Sequence, residues 1–176
     1  MDYVTLYTIQ NKKILPGLLR TGRHIASTAF TLPVVDKDFD TLLPGYEYLS
    51  ERLTQKIEKP KGVETPIWCS VKPISMKAFT SDDPSDYVRL KLRVRSGEVL
   101  FHDAMAYYHI LYEAFYTTFD ELYDYIDILS DNGTAKKKLV KWSWQKIFNV
   151  KDSSRDQIHA CIWEIKLEDI RDILIY

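Results

Sequence analysis

Four histidines, two cysteines and one alternating basic segment are the side chains of this 176-residue chain with the most chemical potential. His102 sits where an apolar extended run, Glu98 to Phe101, gives way to a helical one. Asp103 beside it is well placed to accept the free backbone N–H groups at a helix start. His109, six residues beyond Asp103, lies about 240° further round a helix axis, so the two do not share a face. With no H-x-x-x-H or H-E-x-x-H spacing, no metal site is expected. His159 and Cys161 are two apart on an extended run and therefore share a strand face. That places a base beside a thiol, as nucleophilic catalysis requires; the competing reading is an inert buried cysteine. Arg89, Lys91, Arg93 and Arg95 alternate with Val88, Leu90, Leu92 and Val94. This gives charges about 6.6 Å apart on one strand face, a spacing comparable to nucleic-acid phosphates. The bland alternative is a solvated outer face.

These side chains need elements to hold them. Tyr3 to Gln10 alternates and is β-branched or aromatic, which predicts a strand. A short helix follows from Asn11 to about Leu19, with Gly22 as its left-handed end. Thr31 to Thr41 reads as loop, followed by Pro44-Gly45, and helical spacing of Tyr46, Leu49, Leu53 and Ile57 predicts a helix over 46–57. Pro66 to Lys72 is a second strand, and 73–86 has turn chemistry. The basic strand 87–95, the turn Ser96-Gly97 and the strand 98–101 read as a hairpin. A helix follows from Ala104 to about Tyr116. Thr118-Phe-Asp-Glu121 is a capping-box pattern opening another helix through Leu129. Thr134 to Phe148 is a further helix, whose Trp142 and Trp144 cannot share a face, so one is expected in the core and one exposed. Ile158 to Lys166 is a late strand, and the last ten residues add a short helix or strand. The expected fold is one α+β domain over 1–176, with a mixed or antiparallel central sheet of five or more strands and four or so flanking helices.

Composition narrows the function classes. A net charge of −1 argues against a generally basic nucleic-acid coat, and no apolar run approaches the roughly 20 residues that span a bilayer. The start Met1-Asp-Tyr lacks signal-peptide character, and two cysteines without metal or disulfide spacing suit reduced thiols in the cytoplasm.

Several segments together resemble a family of mainly bacterial proteins catalogued as DUF3841. They are Leu6-Tyr-Thr-Ile-Gln10, Pro66-Ile-Trp68, Tyr87-Val-Arg-Leu-Lys-Leu92, Glu98-Val-Leu-Phe-His-Asp103, Lys141-Trp-Ser-Trp-Gln-Lys-Ile-Phe-Asn149 and Gln157-Ile-His-Ala-Cys-Ile-Trp-Glu-Ile165. The first strand, with its short helix and glycine, and the close at Lys166-Leu-Glu-Asp-Ile170 are distantly similar to ADP-ribosyltransferase-type domains. That likeness implies NAD in a cleft between strands, with a glutamate on a late strand stabilising the cationic ribose as nicotinamide leaves. Here Thr8 stands where a histidine or arginine is often found. Alignment by Ala160 puts Cys161 at the glutamate's place, with Glu164 three residues on.

The resulting expectation is a nucleotide-binding domain of NAD type with altered or absent transferase activity. Its cleft would be lined by Tyr7, Thr8, Gln10, Trp68 and His159, with Glu164 or Gln157 nearest the ribose and His102 as an acid/base or hydrogen-bonding partner. Two alternatives stand beside it. One is a non-enzymatic protein-interaction or regulatory protein of bacterial or phage origin. The other is nucleic-acid binding through Arg89, Lys91, Arg93 and Arg95.

Overall fold

The alternation at 87–95 organises the molecule. Val88, Leu90 and Leu92 are fully buried, and each such side chain contributes roughly 1.5–3 kcal/mol of hydrophobic stabilisation. The basic residues between them face the other way. The computed structural model describes residues 2–27, 39–75, 83–117 and 133–175. In chain order its elements are β1 (Tyr3–Asn11), α1 (Ile14–Thr21), β2 (Arg23–Ile25), α2 (Phe39–Lys56), β3 (Ile67–Ser70) and β4 (Tyr87–Arg95). They continue with β5 (Leu100–Asp103), α3 (Ala104–Leu111), α4 (Gly133–Ser143), β6 (Ile158–Ile162), β7 (Glu164–Lys166) and β8 (Ile170–Ile175). Among the described residues six strands form one sheet in the order β5-β6-β3-β1-β4-β8, every neighbouring pair antiparallel. β2 and β7 form a separate two-stranded ribbon. The architecture is α+β with an antiparallel sheet, as the sequence predicts.

The expected hairpin between the basic strand and β5 does not form. β1 pairs with β4 over nine residues, from Tyr3 opposite Arg95 to Asn11 opposite Tyr87, and β8 takes the other edge of β4. A four-residue β5 offers less to either edge. Ser96–Glu98 instead make a single 3-10 turn, the buried Val99 enters the core, and β5 pairs with β6 at the far side of the sheet. On a flat sheet Arg95 and Leu100 would lie about 28 Å apart, whereas five residue steps reach only about 18 Å. The sheet is therefore strongly coiled, bringing opposite corners together. An alternating chain of ion pairs crosses that closure: Arg23 to Glu164 at 3.5 Å, Glu164 to Lys166 at 3.9 Å, Lys166 to Glu98 at 3.1 Å and Glu98 to Arg95 at 3.8 Å.

Each sheet face buries its own core. Leu6, Ile67, Cys69, Leu90, Leu92, Ala160 and Ile162 form one, covered by Leu18 of α1 and sealed at the closed corner by Val99 and Ile165. The opposite face, over β3, β6 and β5, carries Leu100, Cys161 and Trp163 against Leu49 and Leu53 of α2, Ile110 of α3 and Trp144. Trp144 is buried and Trp142 is 55% exposed, the division expected of them. α2 begins at Phe39, earlier than its apolar spacing signals, with Pro44 and Gly45 inside it. Gly45 has a packing reason: a β-carbon there would stand 2.9 Å from Leu111 and 3.2 Å from the Tyr107 hydroxyl, so a side chain would have to push aside the α3 side chains packed against it. α3 stops at Leu111 rather than Tyr116. Glu113 takes a positive φ of 50°, and the chain beyond is tied down by Trp144 Nε1 donating to the Ala114 carbonyl and Tyr116 N–H donating to Ser143 Oγ. The helix expected over 134–148 splits into α4 and a 3-10 turn at Trp144–Phe148, and the strand expected over 158–166 breaks at Trp163 into β6 and β7. The capping-box helix at 118–129 falls outside the described residues.

Asp103 caps α3 as its position predicts. One carboxylate oxygen accepts the Met105 and Ala106 N–H groups, both at 2.9 Å, and the other accepts the Ser153 hydroxyl at 2.5 Å. Asp103→Ala is expected to lower unfolding stability by about 1–2 kcal/mol, read as a reduced urea midpoint at unchanged slope, with Asp103→Asn retaining most of it.

Candidate functional site: a polar row across the sheet

In an antiparallel sheet, directly opposed residues project from the same face. The register aligns one polar residue from every strand of the main sheet. His102 of β5 opposes His159 of β6, which opposes Ser70 of β3, which opposes Tyr7 of β1. Tyr7 in turn opposes Lys91 of β4, and Lys91 opposes Asp172 of β8. Six side chains from distant parts of the sequence thus form one transverse row. It runs from the interior to water: His102 is fully buried and Ser70 is 3% exposed, His159 and Tyr7 are half-buried, and Lys91 and Asp172 are exposed.

Beside the buried end lies an aromatic cluster contributed by the sheet and by the two helices above it. The Trp68 ring centroid is 5.1 Å from that of His102, 4.9 Å from Tyr107 of α3 and 5.8 Å from Tyr46 of α2, all edge-on. The His102 and His159 rings are 6.1 Å apart. His102 Nδ1 lies 3.4 Å from the Asp103 carbonyl oxygen and Nε2 lies 3.8 Å from Cys161 Sγ. Trp68 Nε1 and the Tyr107 hydroxyl are buried without a hydrogen-bond partner among the described residues. Each such orphan costs about 1–3 kcal/mol, so the cluster spends stability on polar atoms that nothing among the described residues uses.

Electrostatics keep this end uncharged. Burial, reinforced by His159, pushes the His102 imidazole down to about 4, against upward pulls from the Asp103 carbonyl and carboxylate. Burial lowers His159 as well, with Asp103 opposing. Burial raises the Cys161 thiol well above its ordinary range, and nearby Cys69 adds to the shift. A protonated, fully buried thiol whose sulfur meets His102 and not His159 is not an activated nucleophile. Burial likewise raises the Tyr107 phenol.

The sequence-nominated residues divide among three places. Tyr7, Trp68, His102 and His159 share the face of the row. Thr8 and Gln10 face the other core: Gln10 Nε2 donates to Thr8 Oγ1 at 2.8 Å, and Thr8 Oγ1 donates to the Trp68 carbonyl at 2.7 Å. β3 stands between β1 and β6, so the first and late strands do not adjoin. Gln157 lies at the end of β6 nearest α3, where Ser154 Oγ donates to its side chain at 2.7 Å and its carbonyl accepts from the Ala104 N–H at 2.8 Å. Glu164 is five residues beyond His159, past the break at Trp163, and belongs to β7 in the separate ribbon. It lines a shallow depression of about 560 Å³ with Thr21, Gly22, Arg23, Lys166, Leu167 and Glu168. Of the basic strand, Arg89 donates to the Ile74 carbonyl, Arg93 stacks over the Tyr3 ring at 4.5 Å and Arg95 pairs with Glu98. Lys91 alone of the four has no such engagement among the described residues. Sequence reading missed Ser70, Tyr46, Tyr107 and Asp172, because only strand register and helix docking bring them to the row.

Among the described residues, no group of three or more His, Cys, Asp or Glu side chains is arranged to hold a metal, and no helix is long and apolar enough to cross a membrane. A family model described as "Domain of unknown function (DUF3841)" matches residues 5–171, and the chain belongs to that family. No curated protein and no solved structure matches it.

The buried imidazole makes stability pH-dependent. An unfolded chain protonates this ring near 6.5 and the folded one only near 4, so between those values the unfolded state holds the extra proton. Stability is therefore fully present above about pH 6.5 and falls as pH drops toward 4, by on the order of 3 kcal/mol from this group. Urea titrations across that window are expected to show the loss, and His102→Phe to remove most of it. An unchanged slope in the variant would assign the effect to another group.

Proposed function

We propose that this member of DUF3841 is a ligand-binding domain for a nucleotide of NAD type, seating the ligand's ring at the buried end of the polar row and carrying out no ADP-ribosyl transfer. The observation that carries the reading is the pair of orphaned donors, Trp68 Nε1 and the Tyr107 hydroxyl, on two rings that pack against each other and against a neutral imidazole. A nicotinamide carboxamide or a purine offers in-plane acceptors for such donors and a flat apolar face for the aromatic edges around them. His102 and His159, kept neutral by burial, present one N–H and one lone pair each, which suits a polar but uncharged ring. Trp68, Tyr107, His102 and His159 would hold that ring, with Ser70 and Tyr7 next along the row.

Transfer chemistry needs a carboxylate close to the carbon that becomes cationic. Asp103 is committed to capping α3 and to Ser153, and Glu164 is engaged with Arg23 and Lys166 in the separate depression. The remaining acid of the row, Asp172, stands at its exposed far end. Binding without transfer is what this distribution supports.

Calorimetric titration supplemented by tryptophan fluorescence tests the reading. NAD is expected to bind with a micromolar to millimolar Kd. His159→Ala and Trp68→Phe should each weaken binding about tenfold, equivalent to 1.4 kcal/mol, and Glu164→Gln should leave it unchanged. Absence of heat and of a fluorescence change with NAD, ADP-ribose, adenosine and nicotinamide at millimolar concentration would sink it.

A further inference from the structure

We infer that the exposed half of the row is an anion subsite centred on Lys91, which takes a phosphate group of the ligand whose ring lies at Trp68; this rests on the nucleotide reading above and specifies its charged end. Three observations carry the subsite. First, Lys91 is directly in register with Tyr7, and Tyr7 with Ser70 and His159, so the cation stands on the same face as the aromatic cluster. Second, Lys91 is the one uncommitted cation of its strand among the described residues, since Arg89, Arg93 and Arg95 are held by Ile74, Tyr3 and Glu98. Its opposed residue Asp172 forms no ion pair with it within the described structure. Third, the helices that cover the face over β3, β6 and β5 do not extend over β4, where the alternate residues Lys91, Arg93 and Arg95 are exposed.

Strand spacing gives the scale. From Trp68 to Lys91 is two inter-strand steps across and two residues along, about 12 Å. A ligand with its ring at Trp68 therefore reaches Lys91 on a diagonal that passes Ser70 and Tyr7. At that position an ammonium is solvated in the free protein and loses little on meeting an anion. A lysine at the buried end would instead be driven toward neutrality. The Tyr7 hydroxyl adds a donor between the two ends, and Ser70 Oγ, which already donates to the Lys72 carbonyl at 2.5 Å, offers only its lone pairs as acceptors.

The ligand class follows from that layout: a neutral flat ring joined through a sugar to at least one phosphate. Nucleosides and free nicotinamide would bind more weakly than their phosphorylated counterparts, by the contribution of a charge-assisted contact.

Titrations of adenosine, AMP, ADP-ribose and NAD against the full chain, at low and high salt, separate the possibilities. AMP is expected to bind about tenfold more tightly than adenosine at low salt, with the advantage shrinking as salt rises. Lys91→Ala should remove that advantage while leaving adenosine affinity within about twofold. Arg95→Ala, whose side chain is paired with Glu98, should leave both unchanged. Lys91 is exposed, so the substitution does not disturb the core, and an unchanged urea midpoint checks this. Equal affinity for adenosine and AMP, or an AMP advantage that survives Lys91→Ala, would overturn the subsite while the nucleotide reading stands. Failure of all four ligands to bind would overturn both.

Discussion

Antiparallel register is the constraint on which the remaining structure depends. Nine consecutive pairs lock β1 to β4, and a one-residue slip of β4 would turn Val88, Leu90 and Leu92 out to water and Arg89, Lys91 and Arg93 inward. Losing several fully buried aliphatic side chains would cost far more than any contact along the strand returns. Once that register is set, the placement of Ser70 opposite Tyr7 and of His159 opposite Ser70 follows from one further pairing at each step. The polar row is thus a consequence of core burial on the opposite face. No side chain of the row needs to attract its neighbour for the row to exist.

Coiling of the sheet then gives one face two environments. The connection from Arg95 to Leu100 is too short for a flat sheet, and the opposite corners meet where Glu98 reaches Lys166. The ion pairs at that closure are 18% to 58% exposed, so each contributes at most about 1 kcal/mol; burial of Val99 and Ile165 does more to hold the corner. Helices α2 and α3 lie against one half of the outer face and meet at Gly45; on the other half Ile9 and Tyr87 are buried against Ile74 at one end, and Lys91, Arg93 and Arg95 face solvent. The unpartnered Trp68 and Tyr107 atoms occur where α3 meets the sheet, and there the local rules of polar satisfaction are broken without compensation among the described residues. Sites of that kind are where function is commonly found.

What the sequence revealed and what it hid follow the same division between local and long-range physics. The strand at 87–95, the Asp103 cap, the left-handed Gly22 and the separation of Trp142 from Trp144 each depend on residues within one or two turns, and all were legible. The partner of β4 was not. Ser96-Gly97 carries hairpin chemistry, but the competing nine-residue partner lies at the other end of the sequence, and nothing local records it. Tyr7 and His159 were recognisable as strand residues, yet their alignment through Ser70 requires knowing that β3 separates them. α2 begins inside a segment whose Pro44-Gly45 pair reads as a turn; Gly45 is there because α3 passes within van der Waals contact, a tertiary reason. Glu164 attracted attention through its place on a late strand, but the break at Trp163 moves it into a different ribbon with Arg23 and Lys166.

The gradient along the row explains why a ring and an anion would be ordered as they are and not the reverse. At the His102 end the surroundings are apolar, and the imidazole stays neutral because charging it there costs more than its neighbours return. A phosphate brought to that end would meet the same penalty, with no cation of the row to offset it. At the Lys91 end water screens and solvates the ammonium, so an anion pairs without either group being stripped of solvent, whereas a flat ring would gain little by leaving water only to lie on an exposed surface. Between them lie the buried Ser70 hydroxyl and the half-buried Tyr7, the zone nearest the sugar. The direction of the ligand is therefore set by how deeply each strand lies beneath α2 and α3, which is a property of the coiled sheet as a whole and not of any one residue on it.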